Sequence, residues 1–515
     1  MNLSGKSCVV GIDIGTSSCK TLAVDEEGKV IASSSAEYPV YTPFPGWSEQ
    51  DPLDWWNAVK STFREVAQKI EEQNFSIEGI GLTGQMHGLV LLDAQGKVLR
   101  PCILWNDQRS APFCDEIHDL VGGKEKLMET TNNIMLPGYT GGKLLWVRKN
   151  EPQVFEKATK FLCPKDFIRF MLTGEIATDV TDASGTGLFD VRNRKWATEL
   201  IKLLDLPLSL FPASVESCEK TGVVAESVAK ELGIEPDVPV FGGGGDAVVQ
   251  TVGVGAVEPS VLAITLGTAG IVAASFNEFR KNPGETIQFF CNAMPESWIA
   301  YGTTLAAGGS LRWFRDTFAW SEEGVAKWLG KSSYDFLSEE ASLASPFARG
   351  LVFLPYLIGE RCPHNDPLAR GALVGFGWHS SRNDFLRSVF EGIVFSLRDV
   401  LVSMEPLGLR VRQIRLAGGG ARSPLFCKLH ANIFGSKVVT VKSGEEGGSY
   451  GAALIAGVGA GIWRSVKEAV SHIKVETETE PDEELIEKYT KFFEVYRSTY
   501  RALKDVFRML SPFQK

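Results

Sequence analysis

Two carboxylates in this chain stand beside glycine turns. Asp246 closes the run Gly242-Gly243-Gly244-Gly245-Asp246, and Asp13 opens the turn Asp13-Ile14-Gly15-Thr16-Ser17-Ser18, with Lys20 just after it. Four glycines strip the local backbone of side chains, so a substrate can approach the carboxylate that follows. An Asp in such a place suits the base that aligns a hydroxyl and accepts its proton during phosphoryl transfer, because the hydroxyl becomes acidic only late in transfer. An Asp capping the helix begun by AVVQTVGVG would use the same residue, although capping alone does not explain four glycines. At Asp13 a strand delivers the carboxylate to a tight turn. Gly15 lets backbone approach a phosphate, and the N–H groups and hydroxyls of Thr16, Ser17 and Ser18 can hold anionic oxygens. Asp13 is placed to hold Mg²⁺ through water, since that ion keeps much of its hydration shell. An ordinary hairpin turn reads the same way in isolation.

Two more glycine segments extend the pattern. Leu266-Gly267-Thr268-Ala269-Gly270 repeats the strand–turn–strand grammar of the opening: VLAITLGTAGIVAAS echoes CVVGIDIGTSSCKTLAV. Two such turns, one in each of two related domains, would grip a triphosphate from both sides. Gly418-Gly419-Gly420 follows the expected strand RQIRLA and leads through Ser423 into PLFCKLHANIFG. Strand, glycines and helix let a nucleotide lie against backbone, and close helix–strand packing would use the same residues. His87, in GLTGQMHGLVLL, offers a donor and an acceptor to sugar hydroxyls, or is a satisfied core histidine. Trp105 could pack on a sugar's apolar face, although core packing is the expected reading.

Alternating Val and Ile predict a hairpin over 7–35. Trp55, Trp56, Val59, Phe63 and Val66 recur at helical spacing and predict a helix over Pro52–Ile70. A strand over Ile77–Gly84 and a hairpin over Leu89–Leu99 follow. A C-terminal amphipathic helix buries Tyr489, Phe492, Phe493 and Tyr496. The repeat divides the chain near 253, into 1–253 and 254–515.

The 515 residues suit two or three domains, and 44% hydrophobic with 23% charged residues is ordinary globular composition. A net charge of −10 offers no basic face, so nucleic acid is not an expected partner. Nine cysteines without a Cys-x-x-Cys pair point to reduced thiols in the cytoplasm. The start MNLSGKSCVVGIDIG is unlike a signal peptide. No stretch approaches the roughly 18 apolar residues of a spanning helix, so no membrane partner is expected.

Taken in order, GIDIGTSSCK (11–20), WSEQDPLDWW (47–56), GQMHG (84–88), CPKDFIRFMLTGE (163–175), GGGGD (242–246), LGTAG (266–270), LPYLIGERCPHNDP (354–367) and EEGGSYGAAL (445–454) resemble the FGGY carbohydrate kinases, and within them the xylulokinases. The resemblance implies an α/β fold of two ribonuclease-H-like domains, as in actin and hexokinase, flanking a deep cleft. It implies ATP and Mg²⁺ as cofactors and a small sugar as substrate, most simply D-xylulose. A second copy of the chain is the only macromolecular partner considered. By motif, Asp246 falls at the proton acceptor and Asp13 near metal and phosphates. Gln85, Met86 and His87 fall at the sugar. Gly267, Thr268, Gly308, Arg312, Gly418, Gly419, Gly420 and Ser423 fall on the nucleotide side. Two departures stand out: Ala247 replaces the Asn usual after the catalytic Asp in xylulokinases, and Phe376 replaces an aliphatic residue, which reads as a packing substitution. A kinase for another ketose or polyol, such as ribulose or erythritol, fits the same motifs. An actin- or chaperone-type ATPase fits less well, because it needs no sugar pocket.

Overall fold

The computed structural model describes residues 6–513 apart from 445, so residues 1–5 of the N-terminal stretch and Glu445 of EEGGSYGAAL lie outside the described residues. Two seven-stranded sheets organise the chain. In the first, Lys6–Ile14, Ser18–Asp25 and Val30–Glu37 form an antiparallel meander, with the Asp13–Lys20 pair beside the turn. Phe75–Gly84 then joins parallel to Lys6–Ile14, Pro239–Phe241 joins parallel to it, and Lys220–Val223 closes the edge antiparallel.

The second sheet repeats this plan. Val261–Leu266, Gly270–Phe276 and Trp298–Thr304 form the meander. Gln413–Ala417 and Lys437–Val441 add in parallel, and Val475–Thr479 closes antiparallel. The repeated strand–turn–strand text thus occupies equivalent central positions in two α/β sheets that share six strand positions; the seventh strand is Gly244–Gly245 on Phe75–Gly84 in the first and Gln288–Cys291 at the edge beside Trp298–Thr304 in the second.

The helix Pro52–Glu72 covers the first sheet through Trp55, Val59, Phe63 and Val66. Its start is marked by Asp51, which accepts from the Leu53 N–H, and by Pro52 at the first helical position. The second strand of the expected 89–99 hairpin is reduced to a bridge from Leu92 to Val98, and Val90–Leu92 pairs instead with Lys160–Leu162. Glu483–Leu510 is the C-terminal helix, with Tyr489, Phe493 and Tyr496 buried and Phe492 packed at the margin of the core.

One helix does not stay with the half of the sequence that encodes it. Gly447–Gly459 packs on the central strands of the first sheet and crosses the helix Asp246–Gly253. Glycines make this approach feasible. A Cβ on Gly11 would stand 1.9 Å from the Ser449 carbonyl oxygen, one on Gly81 1.9 Å from that of Ala452, and one on Gly253 1.9 Å from that of Gly447. Backbone lies directly on backbone, and both helices begin at the end of the first sheet where Ile14 and Gly84 finish.

Gly81→Ala must push the helix off the sheet, and overpacking of this kind costs about 1–3 kcal/mol or more. Gly324, inside the helix Trp320–Leu329, has nothing within 4 Å of an added Cβ, so Gly324→Ala should gain about 0.5–1 kcal/mol from helix propensity. Thermal unfolding should show a lower midpoint for the first variant and an equal or higher one for the second. Equal midpoints would contradict the close approach.

Candidate active site

The turn after Lys6–Ile14 is held from outside. Tyr38 Oη donates to the carbonyls of Gly15 (2.5 Å) and Ser18 (3.0 Å), and Gln50 Nε2 donates to that of Thr16 (2.7 Å). Trp105 Nε1 donates to Thr16 Oγ1 at 3.0 Å. Ser17 is exposed at the tip, and Lys20 pairs with Glu446 at 3.1 Å, next to the start of the crossing helix. The Asp13 carboxylate lies against Gly448, where a Cβ would stand 2.3 Å from Oδ2. Its Oδ1 is buried without a hydrogen-bond partner. Burial pushes the Asp13 carboxyl up to about 6 against the opposing pull of Lys20.

Asp246 opens the helix Asp246–Gly253, and Gly245 rather than Asp246 holds the cap position. Its Oδ1 accepts from the Ala247 N–H at 2.7 Å. Burial first, and the charge of Asp13 second, push the Asp246 carboxyl up to about 7. Two carboxylates that repel each other in a buried place favour a cation or a proton between them. The unpartnered Asp13 oxygen fits a hydrated divalent ion.

Asp246 and Ala247 line a cavity of about 590 Å³ together with Met86, His87, Trp105 and Tyr139. Met86 packs beneath Gly245, where a Cβ would meet its side chain at 2.4 Å. His87 sits at φ +68°. Its Nδ1 lies 2.6 Å from the Gly185 carbonyl, which can only accept, so Nδ1 carries the proton. Burial, then the charges of Lys143 and Arg361, hold His87 down to about 3. The ring is therefore neutral, with Nε2 as an acceptor. Lys143, fully buried, donates from Nζ to the His87 carbonyl at 2.8 Å. Gln288 Nε2 donates to Tyr139 Oη at 2.9 Å, which leaves the phenol proton free to donate elsewhere.

Gln85 does not reach this cavity. It is 1% exposed, and its Nε2 donates to Gln50 Oε1 at 2.8 Å, so it supports the Thr16 turn from behind. Gln85 follows the end of the strand Phe75–Gly84, and its N–H donates to the Ile14 carbonyl at 2.8 Å, which holds it against the first strand. Trp105, expected in the core, is 39% exposed and lines the cavity. Phe376 is also no core substitution: it is 54% exposed, with its ring 4.4 Å from that of Phe385.

The opposite wall comes from the second half of the chain, through Ala269, Gln288, Tyr301, Glu360 and Arg361. Glu360 ties its loop down: its carboxylate accepts from Thr304 Oγ1 (2.5 Å) and from the Leu305 and Arg361 N–H groups (3.0 and 2.7 Å). Burial pushes it up to about 7 despite those bonds. Sequence reasoning singled out none of Tyr139, Lys143, Gln288, Tyr301 or Arg361. For Tyr139, Lys143 and Arg361 the available signal was their place in the motifs PGYTGGK and IGER; Gln288 and Tyr301 lie in neither.

Where the motifs lead one to expect the nucleotide, three segments meet at the end of Val261–Leu266. Gly267 and Thr268 are exposed, and their carbonyls accept from the Gly308 and Gly309 N–H groups at 2.9 and 3.0 Å. Gly418, at φ +81°, and Gly420 press against Leu266, whereas Gly419 faces open space. Ser423 Oγ accepts from the Phe426 N–H and pairs with Ser338 Oγ at 2.6 Å, so it caps the helix Pro424–Phe434. Arg312 is exposed on the helix Ala307–Phe318. A separate cavity of about 640 Å³, walled by Trp313, Phe318, Phe353 and Phe385, shares no lining residue with the cleft.

Residues 8–253 match the N-terminal domain of the FGGY family of carbohydrate kinases, and residues 262–460 match its C-terminal domain. A xylulose kinase of Lactococcus lactis is 36% identical over 509 residues, 98% of this chain and 99% of the relative. One of Escherichia coli is 36% identical over 494 residues, 96% of this chain and 99% of the relative. The ligand-bound xylulose kinase of Lactobacillus acidophilus superposes with a TM-score of 0.89 at 28% identity, covering 98% of this chain and 100% of that one.

Carboxyl ¹³C NMR of the ligand-free protein should show Asp246 titrating at about 7 rather than at the ordinary 3.8. Replacing Asp13 with Asn removes a negative neighbour and should move that titration to lower pH. An Asp246 that titrates at the ordinary value, or ignores Asp13, would contradict the geometry.

Proposed function

Because the chain belongs to the FGGY family of carbohydrate kinases, we propose that it transfers the γ-phosphoryl group of ATP to the terminal hydroxyl of D-xylulose, giving D-xylulose 5-phosphate, with Asp246 as the base. Sugar phosphorylation with ATP is the activity of this family; the ketose and the base are our reading. The observation that carries it is Asp246, held near neutrality in a cavity beside His87, which offers an acceptor, and Tyr139, which offers a donor. A base is most effective when its pKa lies near the working pH. Similarity to xylulose kinases over nearly the whole chain supports the ketose.

In this reading Met86, His87 and Tyr139 orient the sugar so that one hydroxyl faces Asp246, which takes its proton as the phosphorus–oxygen bond forms. The exposed Gly267–Thr268 turn and the Gly15–Ser18 turn receive the phosphates. Gly308 sets the first of these, and Gly418 to Gly420 form its floor, with Arg312 and Ser423 at the margin of the nucleotide side. Asp13 would hold a hydrated Mg²⁺, which supplies neutralisation of phosphate charge when bound. We place the division of labour at 253, with sugar binding mainly in 1–253 and nucleotide binding in 254–515. The crossing helix Gly447–Gly459 serves the first sheet.

The proposal also sets the protein in the cytoplasm, which its nine unpaired cysteines support. No helix among the described residues is long and apolar enough to cross a membrane. A homodimer is part of the same reading, supported by the exposed Trp320, Trp328 and Trp378. Sedimentation velocity at monomer mass would remove it.

ADP release measured against D-xylulose, D-ribulose, L-ribulose, L-xylulose, erythritol and no sugar tests the substrate. D-xylulose should give the highest kcat/KM; its failure where another sugar succeeds would overturn the ketose and leave the sugar kinase. Asp246→Ala should lower kcat by about 10²–10⁴, and near-normal turnover would refute the base. Since the base must be ionised, kcat/KM in the native enzyme should fall as pH drops through about 7. Ala247 lies on the cavity, and an added amide there is worth about one net hydrogen bond, 0.5–1.5 kcal/mol. Ala247→Asn should therefore raise kcat/KM for D-xylulose several-fold and leave the KM for ATP unchanged. A fall in kcat/KM would mean that the cavity has no room for the amide.

A further inference from the structure

Beneath the glycine run lies a charge cluster without solvent access. Lys165, Asp166, Arg169, Asp179 and Asp182 are all 0% exposed. Lys165 Nζ contacts Asp166 Oδ1 at 2.5 Å, Asp179 Oδ1 at 2.9 Å and Asp182 Oδ2 at 3.1 Å, and Arg169 Nη1 contacts Asp166 Oδ1 at 2.6 Å. Cys163, Asp166 and Asp182 have ligand atoms close enough for a metal, but the Lys165 ammonium already stands among the carboxylates. Burial pushes the Asp182 carboxyl well up, against the pull of Lys165, and Asp179 and Asp166 add to the rise. Apolar packing would hold such a place at least as well as an ion network does, so the network's use lies in what it grips.

It grips backbone. Arg169 Nη2 donates to the Gly242 carbonyl at 2.5 Å, at the start of the glycine run. Asp179 caps the helix Val180–Gly185, accepting from the Thr181 N–H at 2.7 Å. Thr181 Oγ1 in turn accepts from the Gly245 N–H at 2.8 Å, one residue before Asp246. The far end of the same helix presents the Gly185 carbonyl to His87. Four glycines have no side chains with which to fix themselves, and Gly243 sits at φ +66°.

We propose that Thr181 and Arg169 are positioning residues: they clamp the glycine run at Gly245 and Gly242 and so aim the Asp246 carboxylate, while the helix that carries Thr181 also sets the His87 ring. This rests on the reading of Asp246 as the base. Misplacing a catalytic group by about 1 Å can cost on the order of 10²-fold.

The test compares Thr181→Val, which keeps the shape and removes the acceptor, with Thr181→Ser, which restores it. With MgATP and D-xylulose, kcat should fall about 10–100-fold in the Val variant, sugar KM should stay within about 3-fold, and the Ser variant should recover most of the loss. Hydrogen exchange at the Gly245 amide should accelerate by about 10²-fold in the Val variant and return in the Ser variant. A folded Val variant with normal kcat and normal Gly245 exchange overturns the clamp. Normal kcat in Thr181→Val and Asp246→Ala together, with Gly245 exchange accelerated, removes the base reading instead. Should the Val variant not fold, native Gly245 decides: exchange as slow as in the strand Phe75–Gly84 supports the clamp, and exchange at loop rates overturns it.

Discussion

The cleft depends on one contact: the backbone of the helix Gly447–Gly459 resting on Gly11 and Gly81 of the two central strands. Side chains normally stand between a helix and the sheet it covers. Here their absence lets Gly448 reach the Asp13 carboxylate and lets Gly253 and Gly451 bring two helices together at their backbones. The second half of the chain is thereby fastened to the first next to Asp13 and next to the helix that Asp246 begins.

The same contact explains the electrostatics. Asp13 and Asp246 are desolvated by backbone rather than by cationic side chains, so their carboxyls rise to about 6 and 7 instead of falling. Lys20, the nearby cation, is engaged with Glu446. A site built this way is short of positive charge until a metal cation binds, and such a cation is what stabilises charge on a polyphosphate. The Lys165 cluster, one glycine run away, differs: there an ammonium and a guanidinium stand among the carboxylates.

Much of this was legible in the residues. The two strand–turn–strand segments, the long helices and the glycine runs are local patterns with local causes, and they fall where spacing puts them. The allegiance of Gly447–Gly459 was harder, because it depends on a contact between residues more than 350 positions apart. Gly11 and Gly81 inside strands were the available signal, since such glycines mark close backbone approach. Gln85 turns to Gln50, 35 positions earlier, and the indole N–H of Trp105 finds Thr16, 89 positions earlier, so neither direction shows in the local sequence. Tyr139, Gln288 and Arg361 meet only when the halves fold together, and no short window of sequence contains them.

The most direct test of the account is the identity of the product. ³¹P NMR of the protein with ATP, Mg²⁺ and D-xylulose should show ADP appearing with one phosphomonoester resonance, split into a triplet by the two protons of a terminal CH₂. Inorganic phosphate in place of a sugar phosphate, or a doublet from a secondary hydroxyl, would contradict transfer to the terminal hydroxyl aligned by Asp246.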